Sequence, residues 1–137
     1  MEIIKCIADL CVAVGMMFGQ SDIYARPASE AQWQNVSRTT ATSSTPATDG
    51  AYIVWEEYLV PQGEVYLATR CGANWCTQLI PSSYHGRQPT VSNCAGVTTI
   101  CWRDARSYRQ LCTNSNDGRQ WSLPRYSARV YLPYVNN

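Results

Sequence analysis

Histidine, phenylalanine and lysine each occur once in 137 residues, as His85, Phe18 and Lys5. Any histidine-dependent triad must therefore use His85, which sits in Ser82-Ser83-Tyr84-His85-Gly86 with no nucleophile-elbow pattern around it. Charged residues are only 15% of the chain and the net charge is +1, so no bulk electrostatic case exists for nucleic acid or an anionic membrane. No apolar run reaches the roughly 18 residues of a membrane-spanning helix. The sequence has no Cys-x-x-Cys pair, and His85 lies away from the cysteines. Neither a four-ligand zinc site nor a dithiol redox motif has a framework here. No glycine-rich loop offers to cradle a phosphate. Glycosidase chemistry needs two facing carboxylates, but Glu56 and Glu57 are neighbours in a strand-like run and point to opposite faces, and spacing does not indicate a pairing of either with Glu64 or Asp104. These absences read as a protein that is not an enzyme, needs no cofactor and holds no metal.

What is present is an apolar fraction of 45% in a chain long enough for one domain. Residues 1–31 differ from the rest. They hold all three methionines, Phe18 and Lys5, with an apolar stretch from Cys6 to Phe18 interrupted by Asp9. A basic start, an apolar stretch and then small residues match a secretory signal peptide, with cleavage after Ala25 or Ala31. The expected division is a leader at 1–31 and a single β domain at 32–137. The second part carries nine arginines, no lysine and six acids, a net of +3.

Five cysteines follow the leader: Cys71, Cys76, Cys94, Cys101 and Cys112. That density in a small exported domain reads as disulfides, in a periplasmic or secreted location. A turn at Gly72–Asn74 would let Cys71 and Cys76 close a hairpin. Cys94, Cys101 and Cys112 offer three pairings and leave one thiol over.

The hydropathy pattern from Ala51 onward is β. Residues 52–60, 64–71, 75–80, 97–102 and 129–135 are aromatic or β-branched runs separated by turn signals. Within 64–71 the apolar residues alternate, as in a half-buried strand. Residues 35–50, rich in Ser and Thr, read as a loop or extended edge segment, 81–89 as a loop, and 103–111 as ambiguous. Five or six short strands predict an all-β fold, a small antiparallel sandwich or barrel stabilised by disulfides.

Aromatic residues are the distinctive feature. After residue 31 there are five tryptophans and eight tyrosines but no phenylalanine. Such side chains join an apolar face to a polar atom, which suits protein recognition and sugar stacking. Trp75, between two cysteines in a turn, and Trp121, after an Asn-Asp-Gly turn, are candidates for exposure. Trp102, Arg103, Arg106, Tyr108 and Arg109 mix aromatic and guanidinium groups, a combination able to grip a carboxylate or an acidic protein face.

The order of three motifs resembles the FlhE family of small periplasmic flagellar accessory proteins. They are Glu30-Ala31-Gln32-Trp33-Gln34, the strand Val54-Trp55-Glu56-Glu57-Tyr58-Leu59-Val60 with its Pro-Gly break, and Val65-Tyr66-Leu67-Ala68-Thr69-Arg70-Cys71 through Cys76. The likeness covers roughly residues 30–80. It implies an exported, non-enzymatic β domain that assists flagellar export through a protein partner in the cell envelope. Two other classes fit the same composition: a secreted glycan-binding module of the toxin B-subunit type, and a periplasmic enzyme inhibitor.

Overall fold

The computed structural model describes residues 2–17, 20–38, 41–59 and 62–127. It is all-β, built from three successive four-stranded antiparallel meanders. The first sheet contains β1 (Glu2–Ile7), β2 (Leu10–Met17), β3 (Gln20–Pro27) and β4 (Gln34–Asn35). The second contains β5 (Thr42–Thr48), β6 (Ile53–Leu59), β7 (Gln62–Cys71) and β8 (Asn74–Leu79). The third contains β9 (Gly86–Cys94), β10 (Val97–Asp104), β11 (Gln110–Ser115) and β12 (Arg125–Tyr126). None of the sheets closes into a barrel; the arrangement is a small sandwich with a third layer.

The second sheet lies in the middle, and strand alternation explains why. Successive side chains point to opposite faces, and here both faces are apolar. Ile53, Trp55, Ala68 and Trp75 pack against Leu10, Val12, Ile23, Ala25 and Val36 of the first sheet and its β4 extension. Val54, Val65, Leu67 and Ile80 pack against Ile100 and Trp102 of the third. Trp55 stacks on its cross-strand partner Tyr66, with ring centroids 6.1 Å apart. Polar ties join the layers as well. Ser21 Oγ donates to Ser43 O at 2.8 Å, and Gln88 N donates to Glu56 Oε2 at 2.7 Å.

Residues 2–27, which match a leader by sequence, form β1–β3. Their strand alternation supplies four buried residues of the first core. The half-buried pattern expected for 64–71 is correspondingly a strand buried on both faces, since Tyr66 and Ala68 meet the first layer while Val65 and Leu67 meet the third. Of two further segments, the first takes the extended-edge alternative and the second departs from the expected loop. Residues 42–48 form the edge strand β5 despite Pro46, because Pro46 falls at the irregularity between Ser44 and Ala47, where no ladder donor is required. Strand β9 begins at Gly86, inside the expected loop, and Pro89 lies opposite the shift between Cys101 and Arg103. The strand expected at 129–135 lies outside the described residues.

Each sheet carries one disulfide, and each disulfide staples a single hairpin: Cys6–Cys11, Cys71–Cys76 and Cys101–Cys112. The hairpin bridge expected at Cys71–Cys76 is present. Cys101 and Cys112 are direct partners in the β10–β11 register. Cys94, expected among the disulfide cysteines, is instead an exposed free thiol beside the β9–β10 turn. The two cysteines that could reach it by sequence are already joined to one another.

Two outcomes check this architecture. In the 137-residue chain, Ile23→Ala should lower unfolding free energy by about 2–4 kcal/mol, because it empties space beside Trp55; denaturant titration measures it. An alkylating reagent applied without reductant should label the folded chain once, at Cys94, and label six further cysteines only after reduction.

Candidate functional site

Exposed aromatic residues gather at one end of the molecule. Tyr58, Tyr84, Tyr108 and Tyr126 are 40%, 51%, 73% and 50% exposed. Tyr58 ends β6 beside the β6–β7 connection. Tyr84 lies in the β8–β9 loop, Tyr108 in the β10–β11 loop and Tyr126 in β12. Backbone hydrogen bonds bring these segments together. His85 N donates to Gly63 O at 2.7 Å, and Ala105 N donates to His85 O at 2.9 Å. Asp104 pairs with Gly86 and Leu111 with Tyr126.

Guanidinium groups interleave with the rings. Arg87 lies 4.5 Å from the Tyr58 ring centroid and forms an ion pair with Glu56 at 3.5 Å. Arg109 lies 3.7 Å from the Tyr126 centroid. Arg106 pairs with Asp104 at 3.4 Å while its own side chain stays largely in solvent. A stacked guanidinium keeps its in-plane donors free for a carboxylate while the ring limits its rotamers.

The loops are held rigidly and with backbone strain. Ser82, His85 and Tyr108 have φ of 59°, 62° and 61°. This left-handed region costs an L-residue roughly 1–2 kcal/mol, and strain of this kind gathers at functional surfaces. The Tyr108 turn closes through Tyr108 N to Asp104 O at 2.7 Å and Asp104 N to Arg109 O at 2.8 Å. The buried Asp104 carboxylate organises it from inside by accepting Arg106 N at 2.9 Å. Burial alone would raise the Asp104 pKa, but hydrogen bonds and charge from Arg106, with a contribution from Ser107, outweigh it and hold the carboxyl below its usual range. On the other loop, Ser83 Oγ donates to Ile80 O at 2.7 Å and accepts Val65 N at 2.9 Å. Gly86 is obligatory here. A Cβ would lie 2.7 Å from Val65 Cγ2 and 2.8 Å from Ser83 O.

The residues singled out by sequence divide into two groups. Arg106, Tyr108 and Arg109 belong to this end, and Arg103 precedes them on β10, half-buried. Trp102 does not join them. It is 1% exposed and fills the core between the second and third sheets, because its alternation in β10 points it inward. Trp75, expected to be exposed, is 8% exposed and packs in the other core, with Arg70 covering its ring at 4.7 Å. Trp121 is half-buried against the third sheet's core. Sequence reasoning missed Tyr58, Tyr84 and Tyr126, whose only signal was the surplus of tyrosine over phenylalanine. Glu56 and Glu57 point to opposite faces as expected, Glu56 toward β9 and Glu57 buried on the Trp55 side. Among the described residues no group of three or more His, Cys, Asp or Glu could hold a metal ion, and no helix is long and apolar enough to cross a membrane.

No family model matches the chain, and no curated protein matches it.

Two carboxylates make the pH dependence specific. A depressed folded-state pKa contributes stability above the ordinary aspartate value of about 3.9, and that contribution is lost as pH falls through the lower folded value. Asp104 should therefore stay ionised below that value, and Asp104→Ala should cost about 1–3 kcal/mol at neutral pH and loosen the 104–109 loop in hydrogen exchange. Asp117 accepts backbone hydrogen bonds from Gln120 and Arg119 and one from Ser115 Oγ, which hold its carboxyl down to about 2. Carboxyl NMR should give its midpoint near that value.

Proposed function

We propose that this chain is an exported binding protein that recognises a protein partner through the tyrosine–arginine end, without catalysis. The observation that carries the reading is the convergence of four exposed tyrosines with Arg87, Arg106 and Arg109 on strained, internally hydrogen-bonded loops. Tyrosine and arginine dominate binding hot spots because they supply large contact area and directional donors at low entropic cost. The guanidinium donors favour a partner face bearing carboxylates. A non-catalytic role is supported by the commitment of Ser83 to backbone hydrogen bonds.

Export is supported by three disulfides in one small chain, which an oxidising compartment would form and keep. The folded form that carries the proposal keeps residues 2–27 in place, since their loss would bare Ile53 and Trp55. Intact mass of protein from its native host decides between retention and cleavage after Ala25 or Ala31. The motif order that resembles FlhE proteins suggests an envelope or flagellar-export accessory role, with the partner in that apparatus.

A photo-crosslinking residue at position 108, expressed in the native host, tests the surface. One dominant adduct with an envelope protein is expected, absent when the same residue replaces Ala73 on the distant β7–β8 turn. Arg109→Glu should cut its yield by about tenfold or more with the melting temperature unchanged. Equal adducts at both positions, or none at 108, would overturn the reading.

A further inference from the structure

At the opposite end of the middle sheet, a cavity of about 510 Å3 opens between the first and second sheets. That volume is within the range of small-molecule sites. Its walls include Asp9, Leu10, Pro27, Thr69, Arg70 and Trp75. We propose that this cavity binds an acidic saccharide, a pyranose bearing a carboxylate.

The chemistry of the walls selects that class. Leu10, Pro27 and Trp75 line the cavity with apolar surface, which suits the C–H face of a sugar ring. Arg70 is laid against the Trp75 ring at 4.7 Å, so its planar fork is oriented before a ligand arrives. Among the described residues the two ion pairs are Arg87–Glu56 and Arg106–Asp104; neither uses Arg70 or Asp9. The guanidinium thus suits a ligand carboxylate. Asp9 supplies acceptors for ring hydroxyls and repels a carboxylate placed the other way round, which orients the ligand.

The walls are also pre-set. The Ala8–Asp9 turn is clamped by Cys6–Cys11 and anchored by Ala28 N donating to Asp9 O at 2.7 Å. Arg70 and Trp75 are direct partners across β7–β8, on the rung between those of Cys71 and Cys76. Gly50, with φ of 100°, lets the β5–β6 loop approach the Ala8 side chain, which a Cβ would meet at 3.0 Å. Two stapled hairpins from different sheets thus face one another across the cavity, and rigid walls reduce the ordering cost of binding. One wall comes from residues 8–10 and 27, so the site requires a chain that retains its first sheet.

Saturation-transfer NMR on the full oxidised chain tests the proposal with three probes: D-glucuronate, D-glucose and hexanoate. Saturable transfer to glucuronate ring protons is expected, with each of the other two weaker by about tenfold, the loss of one good charge-assisted contact. Arg70→Gln should abolish the preference for glucuronate over glucose, and Asp9→Asn should weaken both sugars, with both variants still carrying three disulfides. Equal binding of glucose, equal or tighter binding of hexanoate, no saturation by glucuronate at millimolar concentration, or binding unchanged in both variants would each overturn it. Position 108 plays no part in this cavity, so its crosslinking result stands or falls separately.

Discussion

The structure depends on burying both faces of one sheet. Val54 and Trp55 are neighbours on β6, point in opposite directions and are both fully buried. A strand in that state needs an apolar layer on each side, and the chain provides them from its two ends. Apolar burial contributes roughly 25 cal/mol per Å2, and a chain of this size has little margin to leave one face bare. The second sheet therefore fixes where the other two lie, and with them where the loops at each end of the molecule meet.

This constraint also explains which parts of the fold were legible in the sequence. The strands around 53–59, 64–71, 75–79 and 97–102 announce themselves through β-branched and aromatic runs, and the Cys71–Cys76 staple through its turn. The first sheet was hidden. Cys6 to Phe18 is an almost continuous apolar run, and β2 needs such a run because Leu10, Cys11, Val12 and Ala13 are all buried. Composition alone does not separate a strand of that kind from an export signal. Strand β9 was hidden, and β5 legible only as a loop or extended edge segment, for the opposite reason: both are polar strands that contain proline at ladder irregularities. At the candidate site, the run from Arg103 to Arg109 was readable as a guanidinium–aromatic cluster. Its tyrosine partners were not, since Tyr58, Tyr84 and Tyr126 come from three other segments brought together by backbone hydrogen bonds of the loops. Trp102 shows the limit in reverse, because adjacency to Arg103 in sequence places it on the other face of the strand.

The two ends of the middle sheet have different character. One presents exposed tyrosines and arginines on loops. The other is concave and framed by two stapled turns. Both are set by the same strands, β6 to β8, so the spacing between the two surfaces is as fixed as the sheet itself.

The covalent map has a consequence for how the molecule is made. The three bridges span sequence separations of only 5, 5 and 11 residues, and none crosses from one sheet to another. Each loop can close as soon as its own hairpin has emerged, without waiting for the rest of the chain. Oxidation from the first cysteine to the last then gives the native pairs for Cys6–Cys11 and Cys71–Cys76, whereas Cys94 emerges ahead of Cys101 and competes for it until Cys112 appears. Thiol–disulfide exchange is therefore needed only in the third hairpin, to move Cys101 from Cys94 to Cys112.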